Sequence, residues 1–194
     1  MRFALAITVM LFSACFTACA QDLAAPAKTG SAATETTAPP VNLASAGCGP
    51  AGERFAVTKG SKDQTNSRPE AGKALIYFVQ DDRFFTNKTQ PTIKWGLDGA
   101  WVGATQHLLY FRMTIEPGEH RLCSEWQAPD TVSKRTIFGA AILHARAGQT
   151  YYYRAQSIYW GALSMATLSL LPVGRDQGAL LDSQKGYSNF ALKN

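Results

Sequence analysis

The chain is 194 residues long, enough for one domain plus processing segments. Its 19 Lys and Arg outweigh 14 Asp and Glu, a formal +5. The basic residues are scattered rather than gathered into the aromatic-interleaved stripe of a nucleic-acid binder, so nucleic acid is excluded as a partner. Charged residues make up 17% of the chain, below the ~25% of typical globular proteins, and Gly, aromatic and β-branched residues are plentiful.

Residues 1–20 read as a signal peptide. Arg2 gives a short positive start, and 3–12 form an apolar run too short to span a bilayer as a stable helix. Two processing readings stand. Ala18-Cys19-Ala20 is a small-residue cleavage site, whereas FTAC, ending at Cys19, is similar to a bacterial lipobox with Phe in place of Leu. In the second reading Cys19 carries lipid, the one route to a membrane that the sequence offers. Residues 21–46 are rich in Ala, Thr, Pro and Ser and have almost no large apolar side chains to offset ordering entropy, so they read as a flexible linker. The folded domain is expected over 47–194.

Within it, 53–58 reads as a short strand and 59–72 as a polar loop. The stretch 73–79 (KALIYFV) is apolar on both faces, the mark of a central strand covered on both sides. From Trp95 to Trp126 the chain alternates strands and turns. Asp98-Gly99 is the strongest hairpin signal, Pro117-Gly118 reads as a type II turn, and Leu109, Phe111, Met113 and Ile115 share one face of a strand. Strands are also expected at 92–97, 119–127, 134–145, 150–156 and 165–173, and a short helix at 176–184. These short strands with frequent turns predict an all-β domain, a single antiparallel β-sandwich of about seven or eight strands, immunoglobulin-like or transthyretin-like, with a closed barrel as runner-up.

Once the signal peptide is removed, Cys48 and Cys123 remain, and an isolated pair in an oxidising compartment is expected to be bridged. Cys123 shares a strand face with Arg121 and Glu125, opposite Leu122 and Trp126. It is therefore expected on the outer face, where it could clamp the incoming N-terminal segment.

The chain has no P-loop, G-x-G-x-x-G or G-x-S-x-G motif, so no cofactor is expected. His107, His120 and His144 lack HExxH spacing, so no metal is expected. Asp81-Asp82 reads as a solvated strand end. Trp95 and Trp126 read as core, whereas Trp101, beside the Asp98-Gly99 turn, and Tyr159-Trp160, in a Gly-containing connection, are the candidate binding residues. Two function classes follow. The preferred one is a non-catalytic module that binds an envelope protein or polymer. The alternative is a hydrolase of envelope carbohydrate or peptide, with a site assembled from Asp81, Asp82, His107 and Glu125.

GKALIYFVQDD, GLDGAWVGA, EPGEHRLCSEW and AGQTYYYRA occur in that order between Gly72 and Ala155. The series resembles a bacterial family of secreted or lipid-anchored domains of unknown function, number 2846, with single motifs that recur in PEGA-like sandwich modules. That resemblance implies a small β-sandwich in the cell envelope and supplies no catalytic residues.

Overall fold

Asp98 and Gly99 adopt φ of 52° and 90°, the two left-handed positions a type I′ turn requires, so the strands they join form a tight hairpin. The computed structural model describes residues 46–61, 68–82, 91–127, 137–160 and 165–193, with backbone alone at 159–160 and 165–166. The expected signal peptide, Cys19 and all of the linker but its last residue lie outside the described residues. The elements are β1 (Phe55–Gly60), β2 (Ala74–Gln80), β3 (Thr92–Leu97), β4 (Ala100–Gln106), β5 (Leu109–Ile115), β6 (Gly118–Gln127), β7 (Phe138–Ala145), β8 (Thr150–Trp160), β9 (Met165–Val173), α1 (Arg175–Gln184) and β10 (Gly186–Leu192).

The protein is mostly β, with two sheets packed together in a sandwich-like fold. One sheet has the order β1-β10-β5-β2-β8-β9 and the other β4-β3-β6-β7. Ten described strands exceed the seven or eight expected, and the six-stranded sheet is mixed. β2 runs parallel to β8, and β10 parallel to β5. β10 (GYSNFAL) was not expected as a strand because Ser188 and Asn189 dilute its β-forming residues, and its pairing is decided by distant segments.

Strand β2 lies in the middle and is buried along its whole length. Ala74, Ile76 and Phe78 face the core between the sheets, while Leu75, Tyr77 and Val79 face a second, smaller cluster completed by Tyr110, Tyr152 and Leu181 of α1. Two layers explain why KALIYFV has no polar face. Trp95 anchors the main core with its ring against Phe78 and Phe111, and its indole N–H donates to Thr105 Oγ1 at 2.8 Å. Trp126 packs at the margin of the same core.

The two sheets approach each other at both sides, in the direction of the barrel alternative. On one side Ser188 Oγ donates to the Ala104 carbonyl, and the space a Cβ on Gly103 would need is filled by Phe111 and Phe190. On the other, a Cβ on Gly139 would lie 2.9 Å from the Leu170 backbone nitrogen, so a side chain there would separate β7 from β9. Among the described residues no helix is long and apolar enough to cross a membrane.

Candidate functional site

β10 pairs with β5 at two positions alone, Gly186 with Leu109 and Tyr187 with Tyr110, while it pairs with β1 from Tyr187 to Leu192. Beyond Tyr187 the β1–β10 ribbon has no ladder to β5, and at the opposite end, beside the two paired positions, lies a cleft of about 590 Å³. β1 contributes Val57 and Lys59, the β4–β5 turn Gln106, His107 and Leu108, β5 Leu109, and the α1–β10 junction Gln184 and Gly186. Val57, Leu108 and Leu109 supply aliphatic surface beside the polar Lys59, Gln106, His107 and Gln184, in the size range of small-ligand sites.

Two features mark the turn. His107 has φ of 61°, a left-handed conformation that costs a non-glycine residue about 1–2 kcal/mol. Leu108 beside it is 40% exposed at the cleft. The turn is pinned at the cleft by the Gly186 N–H, which donates to the Leu108 carbonyl at 3.2 Å.

A buried charge cluster stands behind this end of the six-stranded sheet. Asp81 and Asp82 are not a solvated strand end, for they are 4% and 0% exposed. Lys185 Nζ lies 3.0 Å from Asp81, and Arg154 lies 3.7 Å from it. Asp82 accepts from the Ser157 backbone N–H at 2.8 Å and from the Gln80 side-chain amide, which also donates to the Pro91 carbonyl. Burial pushes the Asp82 carboxyl above its ordinary value, against those hydrogen bonds. Sequence reasoning missed the cluster because its members come from β2, β8 and the α1–β10 junction, which meet through parallel pairing. The DD dipeptide was a signal of charge without a signal of burial.

The expected disulfide Cys48–Cys123 is present, with Cα atoms 5.0 Å apart. As the face alternation predicted, Cys123 lies on the side of β6 away from the core, and the segment 46–54 crosses that face. Gly96 sits beneath it, where a Cβ would meet the Gly47 carbonyl at 2.5 Å. Trp101 is engaged by the same segment. Its indole N–H donates to the Pro50 carbonyl at 2.7 Å, and Gly49 lies against its ring with no room for a Cβ. Lys94 Nζ stands 4.1 Å from the Trp101 ring centroid, 3.0 Å from Glu125 and 3.2 Å from the Glu53 carbonyl. Trp101 thus has a partner within its own chain.

Tyr159 and Trp160 are not in a connection. Their backbones extend β8, opposite Ala166 and Met165 of β9, and their side chains lie outside the described residues. Of the residues of the hydrolase alternative, Asp81 and Asp82 follow β2, whose antiparallel register with β5 carries the chain toward the His107–Leu108 turn, but both are buried and held by Lys185, Arg154, Ser157 and Gln80, while Glu125 pairs with Lys94 on the other sheet. Among the described residues no group of three or more His, Cys, Asp and Glu could hold a metal ion.

No family model, curated protein or solved structure matches this chain. The cleft and the clamped N-terminal segment are therefore read from their own chemistry.

Proposed function

We propose that this protein is an exported cell-envelope module that binds a partner without converting it, and that the cleft at the β4–β5 turn is its binding site. The observation that carries this reading is the exposed Leu108 beside a left-handed His107 at the mouth of a partly apolar cleft. A left-handed backbone at a non-glycine residue costs stability and clusters at ligand sites, and Leu108 adds aliphatic surface next to it at the same cleft. This shifts the binding role from Trp101, which is occupied by Pro50 and Lys94, to His107 and Leu108.

Export through residues 1–20, with either release or a lipid on Cys19, is part of the same proposal. So is membership of the resembled envelope family. In its support, the quoted motifs fall on β2, on the β3–β4 hairpin, on β6 and at the start of β8. An immunoglobulin-like or transthyretin-like assignment would have to accommodate the parallel β2–β8 and β5–β10 pairs.

The test couples retention to stability. The full chain is immobilised, washed with envelope extract, and compared with a His107→Asn, Leu108→Ser variant; Asn tolerates the left-handed conformation, and position 108 is exposed, so the melting temperature should hold. Loss of retained material at unchanged melting temperature supports the cleft. Full retention by the variant would refute it. Fatty-acid labelling of cells separates the two export forms, because only lipidated Cys19 takes up label.

A further inference from the structure

We propose that the cleft takes a straight-chain aliphatic carboxylate, with Lys59 as counter-charge to its head and Val57, Leu108 and Leu109 as the bed for its chain; this rests on the binding reading above. None of the lining residues is acidic, while Lys59 and His107 both line the cleft. No carboxylate among the described residues pairs with Lys59. Its aliphatic stem lies along Gly186, where a Cβ would come within 2.9 Å of Lys59 Cε, so the glycine makes room for the stem and limits where the ammonium can go. Gln184 adds an amide able to donate to a head group.

The same lining argues for a single negative charge. A phosphate dianion is usually met by an Arg fork or by the N-terminus of a helix. Here the helix end beside the cleft is the C-terminal one, at Gln184, with a partial negative charge of about half a unit. One ammonium, set against that opposing field, leaves enough positive charge for a monoanion and too little for a dianion. A peptide carboxylate is commonly captured by a nest of backbone N–H groups, and the Gly186 N–H is already given to the Leu108 carbonyl. An alkyl chain needs no such nest, and adjacent Val and Leu side chains are enough for it.

The experiment is an amide-shift titration of the full chain by NMR with octanoate, octanol, octylamine and octyl phosphate, in the wild type and in Lys59→Gln and Leu108→Ser variants. Both substituted positions are exposed, and melting curves without ligand check that the fold is kept. Expected is octanoate binding about tenfold tighter than octanol, an increment of about 1.4 kcal/mol, with shifts at Leu108, Leu109 and Gly186. Lys59→Gln should abolish that margin, added salt should narrow it, and Leu108→Ser should weaken octanoate and octanol alike. If octanol or octylamine equals octanoate, the head group is misassigned while the cleft still binds. Tighter binding of octyl phosphate would overturn the monoanion. If no ligand moves the cleft amides, this proposal falls; the binding reading of the cleft is judged separately, by retention of envelope material.

Discussion

His120 shows how far a single side chain can fix a turn and tie its strength to pH. Its Nδ1 lies 2.6 Å from Asp98 Oδ2 and its Nε2 lies 2.8 Å from the Glu116 carbonyl, so both ring nitrogens face acceptors and the doubly protonated ring satisfies both. Burial pulls His120 down, but the bonds to Asp98 and Glu116 outweigh it and leave the imidazole above its ordinary 6.5. For Asp98, burial acts upward and is outweighed by His120 and the Arg121 N–H, so its carboxyl lies below 3.8. A raised histidine contributes stability that is whole below 6.5 and lost as pH climbs through the folded value. A lowered carboxylate contributes stability that is whole above 3.8 and lost as pH falls through its folded value. The clip across the β3–β4 and β5–β6 turns is thus strongest between the two. Asp98→Asn keeps the left-handed turn residue, so its cost should be larger at about pH 5 than at about pH 9 in paired urea titrations. Equal cost at both would mean that the pair carries no charge-dependent stability.

The helix α1 is weak by its own sequence. It begins with Gly174, which offers no side-chain cap, carries Arg175 at its positive end and Asp182 near its negative end, and has Gly178 in its middle. Burial holds it. Leu181 is 2% exposed, and Gly178 lies so close to the Tyr152 ring that a Cβ would stand 2.2 Å from it. Tyr152 is in turn stacked on Tyr77 at 4.6 Å, and burial, with Tyr77 and Asp182 nearby, pushes its hydroxyl up to about 12. In a free helix Gly178→Ala would gain about 1 kcal/mol, but a clash with a packed ring costs about 1–3 kcal/mol. Packing should win, and the variant should be less stable in thermal melts, with faster hydrogen exchange in α1. A more stable variant would show that the Tyr152 ring swings aside freely.

Much at this scale was legible before any coordinates: the two-faced β2, the Asp98-Gly99 hairpin, the helix to within a residue, and the outward Cys123 all follow from local period and turn chemistry. What was not legible depends on which strands meet. β10, the burial of Asp81 and Asp82, and the cleft arise where β10 and β8 join distant strands in parallel, and no local pattern encodes such a partner. His107 was named for its chemistry. Leu108 was missed, because an exposed leucine becomes informative only once its neighbours are known.

At the scale of the whole molecule, the disulfide joins positions 75 residues apart and so encloses β1 to β5 and part of β6. In the chain-entropy account a loop of that length constrains the unfolded state by about 4–5 kcal/mol, a large share of the ~5–15 kcal/mol that holds a domain together. Other contacts also hold the crossing segment and the start of β1 that follows it: Trp101 to Pro50, Lys94 to Glu53, and the Gln127 side chain, which accepts from the Phe55 N–H and donates to the Phe55 carbonyl. Net, each of those hydrogen bonds contributes about 1 kcal/mol, so together they approach the cross-link without replacing it. They also act on different states, since the bonds hold the segment to the folded sheet while the cross-link restricts the unfolded chain. Replacing both cysteines, Cys48→Ala with Cys123→Ala, should lower stability in urea by about 4 kcal/mol and raise the denaturant slope, because the freed chain expands further. Trp101→Ala should cost about 1–2 kcal/mol at an unchanged slope. If the double replacement costs no more than Trp101→Ala, the segment peels from the sheet before the domain unfolds, and the cross-link then secures the segment and not the sandwich.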